Sequence, residues 1–281
     1  MKIASLFNQE NLLPTAPKVE QQLIDSFSDD ALTTEELAER IALDPVLSAN
    51  LLRLANSAYY RASRKISSVE AAVTMLGFVT VRTLVITCSL VSRFKSTQGL
   101  DLRQFWRYSL TSAVLCQWLA RQCGEEEEMA FTLGVVHAIG ELMMHLGMPE
   151  ETGTLGKIVN FYADTRLQTE KDVFGFHHLD VSAELLARWK FPEPLITALR
   201  ASSRKFDPQS FNRHGAILQL ATRLARASER DFDGSDNDRF GAVRANPPTT
   251  VLNLLGLTPD TLFGQLPPLA ELRGGLEEML P

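Results

Sequence analysis

Five histidines, three cysteines and one basic stretch are the residues of this chain whose types and spacing could do chemistry. His137, Glu141 and His145 recur at i, i+4 and i+8, so on a single helix they fall along one stripe and two of them could share a divalent metal. Such a site needs a further ligand, and His177, His178 and His214 are the only other histidines. The competing reading is packing, because GVVHAIG sets His137 among apolar neighbours and His145 stands near a helix C-terminus. Cys88, Cys116 and Cys123 form no CxxC pair, fall on apolar helical faces and leave an odd thiol, so neither a disulfide framework nor a zinc module is expected. No GxSxG nucleophile elbow, GxxxxGK[ST] phosphate loop or GxGxxG fingerprint occurs. Glu125 to Glu128 reads as the solvated first turn of a helix, where the dipole favours acids.

The basic stretch is the second candidate. Residues 1–50 carry 3 − 9 = −6 and residues 51–100 carry 7 − 1 = +6, within a chain of net charge −6. Arg53, Arg61, Arg64 and Lys65 stand with no acid between Asp44 and Glu70, and Asn56, Ser57, Tyr59 and Tyr60 are interleaved. Cations beside amide, hydroxyl and aromatic groups can hold a phosphate, stack a base or face an acidic protein. The alternative is a helix end whose cations complement its own dipole and neighbouring acidic helices.

The elements that position these groups are helices. A chain of 281 residues, 45% hydrophobic and 22% charged, has enough length and apolar content for a globular core, and its scattered Gly and Pro exclude collagen-like or low-complexity structure. The acidic balance argues against nucleic acid as a partner of the whole surface. Residues 1–18 lack the long apolar run of a signal peptide, and the apolar stretch Ala71 to Val91 carries Arg82 at its middle, so a cytoplasmic chain without a membrane span is expected. Apolar residues at helical spacing predict a helix after Pro14 and Pro17, one capped by Thr33 or Thr34, one from Asp44-Pro45 through ANSA, and one opened by Ser67-Ser68 and broken at Gly77. The β-branched run after Gly77 is read as helix on its length, with a strand as the competitor. Two long helices meet at Gly124, and others are predicted at 151–164, 178–190, 193–202 and 211–229. Residues 230–250 read as loop, followed by brief helices in an appendage. The fold class is all-α.

Several stretches together resemble the HDOD domain, a bacterial module similar to the HD phosphohydrolases but usually lacking their catalytic set. The resemblance begins at Leu13-Pro14 and runs through DPVLSANLLRLANSAYY (44–60), RKISSVEAAVTMLG (64–77), FWRYSLTSAVL (105–115), GVVHAIGEL (134–142) and FGFHHLDVSAELLARW (174–189) to ILQLATRLAR (217–226). It implies an N-terminal helical lobe over 1–97, an HD-like helical lobe over 98–229, and a linker with a C-terminal helical appendage over 230–281. An HD hydrolase holds metal through a histidine, a His-Asp doublet and a later aspartate. On the matching positions this chain has Tyr108, His137-Ala138 and Thr222, and it has Ser202 and Ser203 where the phosphodiesterase branch often has paired histidines. His137 and His178 are the relics. The resemblance therefore implies a protein with no catalytic residues, no metal and no cofactor, working as a regulatory adaptor in bacterial signalling. Its partner would be a separate response regulator or cyclic-di-GMP enzyme, met through Arg53, Asn56, Ser57, Tyr60, Arg61, Arg64 and Lys65. The alternatives are a sensor that binds a nucleotide or cyclic dinucleotide in the relic pocket, and a residual metal-dependent phosphohydrolase using His137 and His178.

Overall fold

Polar residues placed just ahead of apolar runs set the helix starts. Thr33 accepts the Glu36 N–H (3.2 Å) while the Glu36 carboxylate accepts the Thr33 N–H (3.1 Å), a reciprocal cap that opens α2. Asp44, Ser68 and Asp101 accept from Leu47, Ala71 and Gln104 in the same way. The computed structural model describes residues 3–7, 33–57, 60, 65–78, 80–81, 84, 99–189, 191–204, 211–230, 240–274 and 276. Among them the backbone forms α1 (Ile3–Phe7), α2 (Thr34–Ala42), α3 (Pro45–Ala55), α4 (Val69–Leu76), α5 (Leu102–Cys123), α6 (Glu127–Val136), α7 (Ile139–Gly147) and α8 (Pro149–Ile158). There follow α9 (Arg166–Phe174), α10 (His178–Arg188), α11 (Glu193–Ser202), α12 (Arg213–Arg230), α13 (Gly241–Ala245), α14 (Thr249–Leu255), α15 (Pro259–Gln265) and α16 (Leu269–Arg273). No β-strand occurs among the described residues, so the all-α class holds.

Two apolar cores share the long helix α5. Leu37, Ile41, Leu47, Leu51, Leu54, Val73 and Leu76 of α2 to α4 form the smaller core, closed by Ala113 and Val114 of α5 and Phe131 of α6. The opposite sides of α5 face the larger core, built from α6, α7, α10, α11 and α12. Buried residues therefore run almost unbroken from Phe105 to Ala120, because this helix has protein on nearly every side. Gly124 ends it at φ +67°, a left-handed turn that a residue with a Cβ adopts only at a cost. Arg107 binds Glu229 through three hydrogen bonds of 2.6 to 3.2 Å, tying α5 to α12.

Three sequence expectations need correction. The run from Glu127 to Gly147 is not one helix but two, because the backbone turns at His137-Ala138, where Ala138 has φ −97° and ψ 1°. The helix expected over 151–164 ends at Ile158, and a separate one, α9, follows it. Residues 3–7 form a short helix whose Leu6 and Phe7 sit in the larger core, with the Arg188 guanidinium 4.6 Å over the Phe7 ring. The stretch read as loop contains α13. The C-terminal helices of the appendage pack against α12 and α5. Phe78, Thr80, Val81 and Leu84 are helical, and the rest of the β-branched run lies outside the described residues, as do the first expected helix and, within the stretch Ala71 to Val91, Arg82 and residues 85–91. The segment Glu127–Gly147 is long and apolar enough to cross a membrane by composition, but 83% of its apolar window is buried inside the protein.

Candidate functional site

The break between α6 and α7 aims His137 away from the stripe that the sequence suggested. Its Nδ1 stands 2.7 Å from the Gly134 carbonyl and its Nε2 stands 3.1 Å from the Tyr108 hydroxyl. A carbonyl only accepts, so Nδ1 carries the proton and the Nε2 lone pair accepts from the tyrosine O–H. Burial pushes the imidazole down to about 3, with the charges of His178 and Arg226 adding to the effect, so His137 is neutral at physiological pH. Burial likewise pushes the Tyr108 hydroxyl up, keeping it a donor.

Glu141 and His145 turn instead to a charged cluster inside the fold. Arg166 Nη2 donates to Glu141 Oε1 (2.6 Å), Arg166 Nε donates to Glu170 Oε1 (2.5 Å), and Arg166 Nη1 donates to the Val159 carbonyl (3.0 Å). Glu170 Oε2 accepts both the backbone N–H and Nδ1–H of His178, each at 2.8 Å. The second nitrogen of the His145 ring, Nε2, lies 3.2 Å from Glu141 Oε1. Relative exposure is 1% for Arg166, 0% for Glu141 and Glu170, and 4% for His178. Burial alone would raise the Glu170 carboxyl, but the charge and hydrogen bonds of His178, with Arg166, outweigh it and hold the group below the usual range.

The positions that the HD resemblance singles out, though spread over the sequence, converge on one cavity. Tyr108, His137, His178, Ser202, Ser203 and Thr222 line a space of about 620 Å³, together with Arg223, Arg226 and Asp164 and residues 247–251 of the appendage. Ala138 is fully buried beside it. His178 is positioned by Glu170, and α10 is held against α7 by Ser182, whose hydroxyl donates to the His137 carbonyl (2.6 Å) and accepts the Gly140 N–H (2.8 Å).

These donors do not fit the divalent metal that the HD resemblance brings to mind. The His137 lone pair is committed to Tyr108, and Ala138 and Thr222 supply no carboxylate. Ligand atoms of Glu141, Glu170 and His178 do lie within 4.8 Å of one another, but the guanidinium of Arg166 binds both carboxylates and already supplies the positive charge a metal would bring. Nothing in the sequence marks Arg166 and Glu170, since RLQTEKDVF has the composition of a solvated polar helix; the aromatic pairs on either side, Phe161-Tyr162 and Phe174 with Phe176, are the one hint of burial.

The basic candidate surface divides. The Asn56 amide clamps the Ile66 peptide, donating to its carbonyl (2.7 Å) and accepting its N–H (2.8 Å), and the Ser57 hydroxyl donates to the Leu54 carbonyl (2.8 Å). Tyr60 is packed against the smaller core. These three hold the local fold, while Arg53 and Lys65 are exposed. Arg61 and Arg64 lie outside the described residues. Of the acidic run, Glu125 pairs with Arg213, and Glu127 pairs with Arg121 at 2.7 Å. Cys116 is buried, which pushes its thiol up and makes it inert, and Cys123 is half-buried.

An all-helical HD-like architecture with one polar cavity is the class that the fold defines. The chain matches the HDOD domain over residues 13–204 and belongs to that family. It is similar to a Shewanella amazonensis SB2B protein described as a candidate phosphohydrolase, at 30% identity and a TM-score of 0.73, covering 98% of this chain and 97% of that one. An HDOD domain protein of unknown function from Geobacter sulfurreducens is 28% identical with a TM-score of 0.58, covering 76% and 72%. A Marinobacter aquaeolei VT8 protein described as a candidate signal transduction protein shares the fold at 21% identity and a TM-score of 0.67, covering 95% and 58%. Among curated sequences, an uncharacterized Treponema pallidum protein is 22% identical over 202 residues, 70% of this chain. The chain spans only 39% of that relative's length.

The state of His137 makes stability depend on pH. Its folded pKa lies below that of an unfolded histidine, near 6.5, so the unfolded chain binds the extra proton and stability falls as pH drops from about 6.5 towards 3. About 2 kcal/mol should be gone by pH 5. Glu170 adds to the loss only below the ordinary carboxylate range. Urea melts at pH 7.5 and pH 5 should therefore separate more widely for the wild type than for His137→Gln, and equal separations would contradict the neutral assignment.

Proposed function

We propose that this HDOD protein is a non-catalytic regulatory component of bacterial signalling, acting in the cytoplasm through contacts with a separate partner such as a response regulator or a cyclic-di-GMP enzyme. The observation that carries the reading is the pairing of His137 with Tyr108. Metal-assisted phosphoester hydrolysis needs a bound, activated water, and at this position a histidine lone pair is consumed by a phenol while Ala138 and Thr222 leave no anionic ligand beside it. The family resemblance supplies the signalling setting. The exposed part of the basic stretch, with Arg53 and Lys65, is the surface offered to an acidic partner.

The test is turnover. Purified protein incubated with cyclic di-GMP or nucleoside monophosphates and added manganese or iron should release product no faster than a buffer blank. Product formation abolished by His178→Ala would overturn the reading, since that ring, held by Glu170 through Nδ1, keeps Nε2 without a partner among the described residues.

A further inference from the structure

Among the described residues, Arg226 is a cation without a counter-ion in the wall of the cavity. Its Nε is buried with no hydrogen-bond partner, and the one contact of its head among the described residues is a long 3.5 Å hydrogen bond from Nη2 to the Thr222 hydroxyl. The carboxylate one turn further along α12, Glu229, is taken by Arg107. A desolvated, unpaired guanidinium nitrogen costs stability, so its presence in a cavity wall calls for a ligand that completes it. Arg223 lines the same cavity with one Nη2 bond, 2.8 Å to the Asn246 carbonyl. The hydroxyl residues Ser202, Ser203 and Thr222 stand around them, and among the described residues Asp164 is the one carboxylate in the lining.

We infer that the cavity binds a small phosphate-bearing molecule, with Arg226 and Arg223 as the anion-holding pair in the place the HD fold gives to a metal. Guanidinium donors match phosphate oxygens two at a time, and hydroxyls complete the remaining acceptor positions. A volume of about 620 Å³ is within the range of small-molecule pockets and leaves room for more than a phosphate. Neutral His137 and its Tyr108 partner add no negative charge to the wall. Because Pro247 to Val251 close one side, occupation of the cavity would be felt by the appendage packed on α12. This deepens the regulatory reading by naming what the site would sense, and it stands on Arg226 rather than on the absence of catalysis.

The test is thermal shift and calorimetry on the full chain with inorganic phosphate, adenosine and guanosine 5′-monophosphates, and adenosine as the phosphate-free control. Phosphate or a nucleotide should raise the melting temperature while adenosine does not; a response to nucleotide alone assigns the larger ligand, and a response to inorganic phosphate alone assigns the anion. Arg226→Met should weaken that binding roughly tenfold to a hundredfold, and without ligand it should melt no lower than wild type, because it removes an unpaired buried donor. Arg226→Lys, which keeps the charge, should lose less. No shift with any phosphate-bearing probe, or a shift undiminished in both variants, would overturn the assignment. Release of phosphate from a bound nucleotide would refute the non-catalytic reading and leave the anion site standing.

Discussion

Arg166→Met is expected to destabilise the protein by about 3–5 kcal/mol, as removal of one member of a buried ionic group does. The guanidinium binds Glu141 and Glu170 at once and is 1% exposed. Methionine fills most of the volume but leaves two carboxylates inside the protein without their shared cation. Glu141 Oε2 already lacks a hydrogen-bond partner among the described residues, so it has no reserve to draw on. Glu170 would lose one of the two groups that hold its carboxyl low, and His178, which it anchors through two bonds, would lose its position in the cavity wall. Urea unfolding monitored by circular dichroism reads the effect directly. A loss below about 1 kcal/mol would mean that the cluster is hydrated rather than enclosed.

The second large effect is at Gly140. A Cβ there would stand 2.0 Å from the His178 carbonyl and 2.6 Å from the Ser182 nitrogen, both backbone atoms of α10. Neither can swing aside, so α7 and α10 must part, straining the Ser182 hydroxyl bonds to the Gly140 N–H and the His137 carbonyl. Gly140→Ala should cost about 3 kcal/mol. It should also move His178 relative to His137, so a probe of the cavity should respond beyond what the stability loss explains. Gly153→Ala is the control: nothing lies within 4 Å of its Cβ in α8, and the change should stabilise by roughly 0.5–1 kcal/mol. Equal effects at the two glycines would contradict the close crossing of α7 and α10.

What could be read from the sequence follows from how each signal arises. Caps act locally, so Ser68 and Gly124 mark their boundaries in a few residues. The convergence of Tyr108, His137, His178 and Thr222 was legible through the family pattern alone, since no periodicity links positions so far apart. The turn at His137-Ala138 was hidden because it has neither proline nor polar cap, and the apolar period continues across it. The charged cluster was hidden for a different reason. Arg166 and Glu170 are four residues apart, the spacing of an ordinary surface pair, and only the packing of α9 beneath α7 puts them inside. Asn56 illustrates the reverse error, a polar residue beside cations that looked free for a ligand but closes a turn onto Ile66.

On the proposed reading, arginine charge and a histidine–tyrosine pair stand in this HDOD protein where an HD hydrolase holds its metal. Elemental analysis of the full-length chain, purified without chelator from cells grown with iron, manganese and zinc, tests it most directly. Substoichiometric metal, unchanged in His137→Gln, is expected, because the only lone pair that histidine could offer is held by Tyr108. About one metal per chain, lost on substitution of His137 or His178, would contradict it.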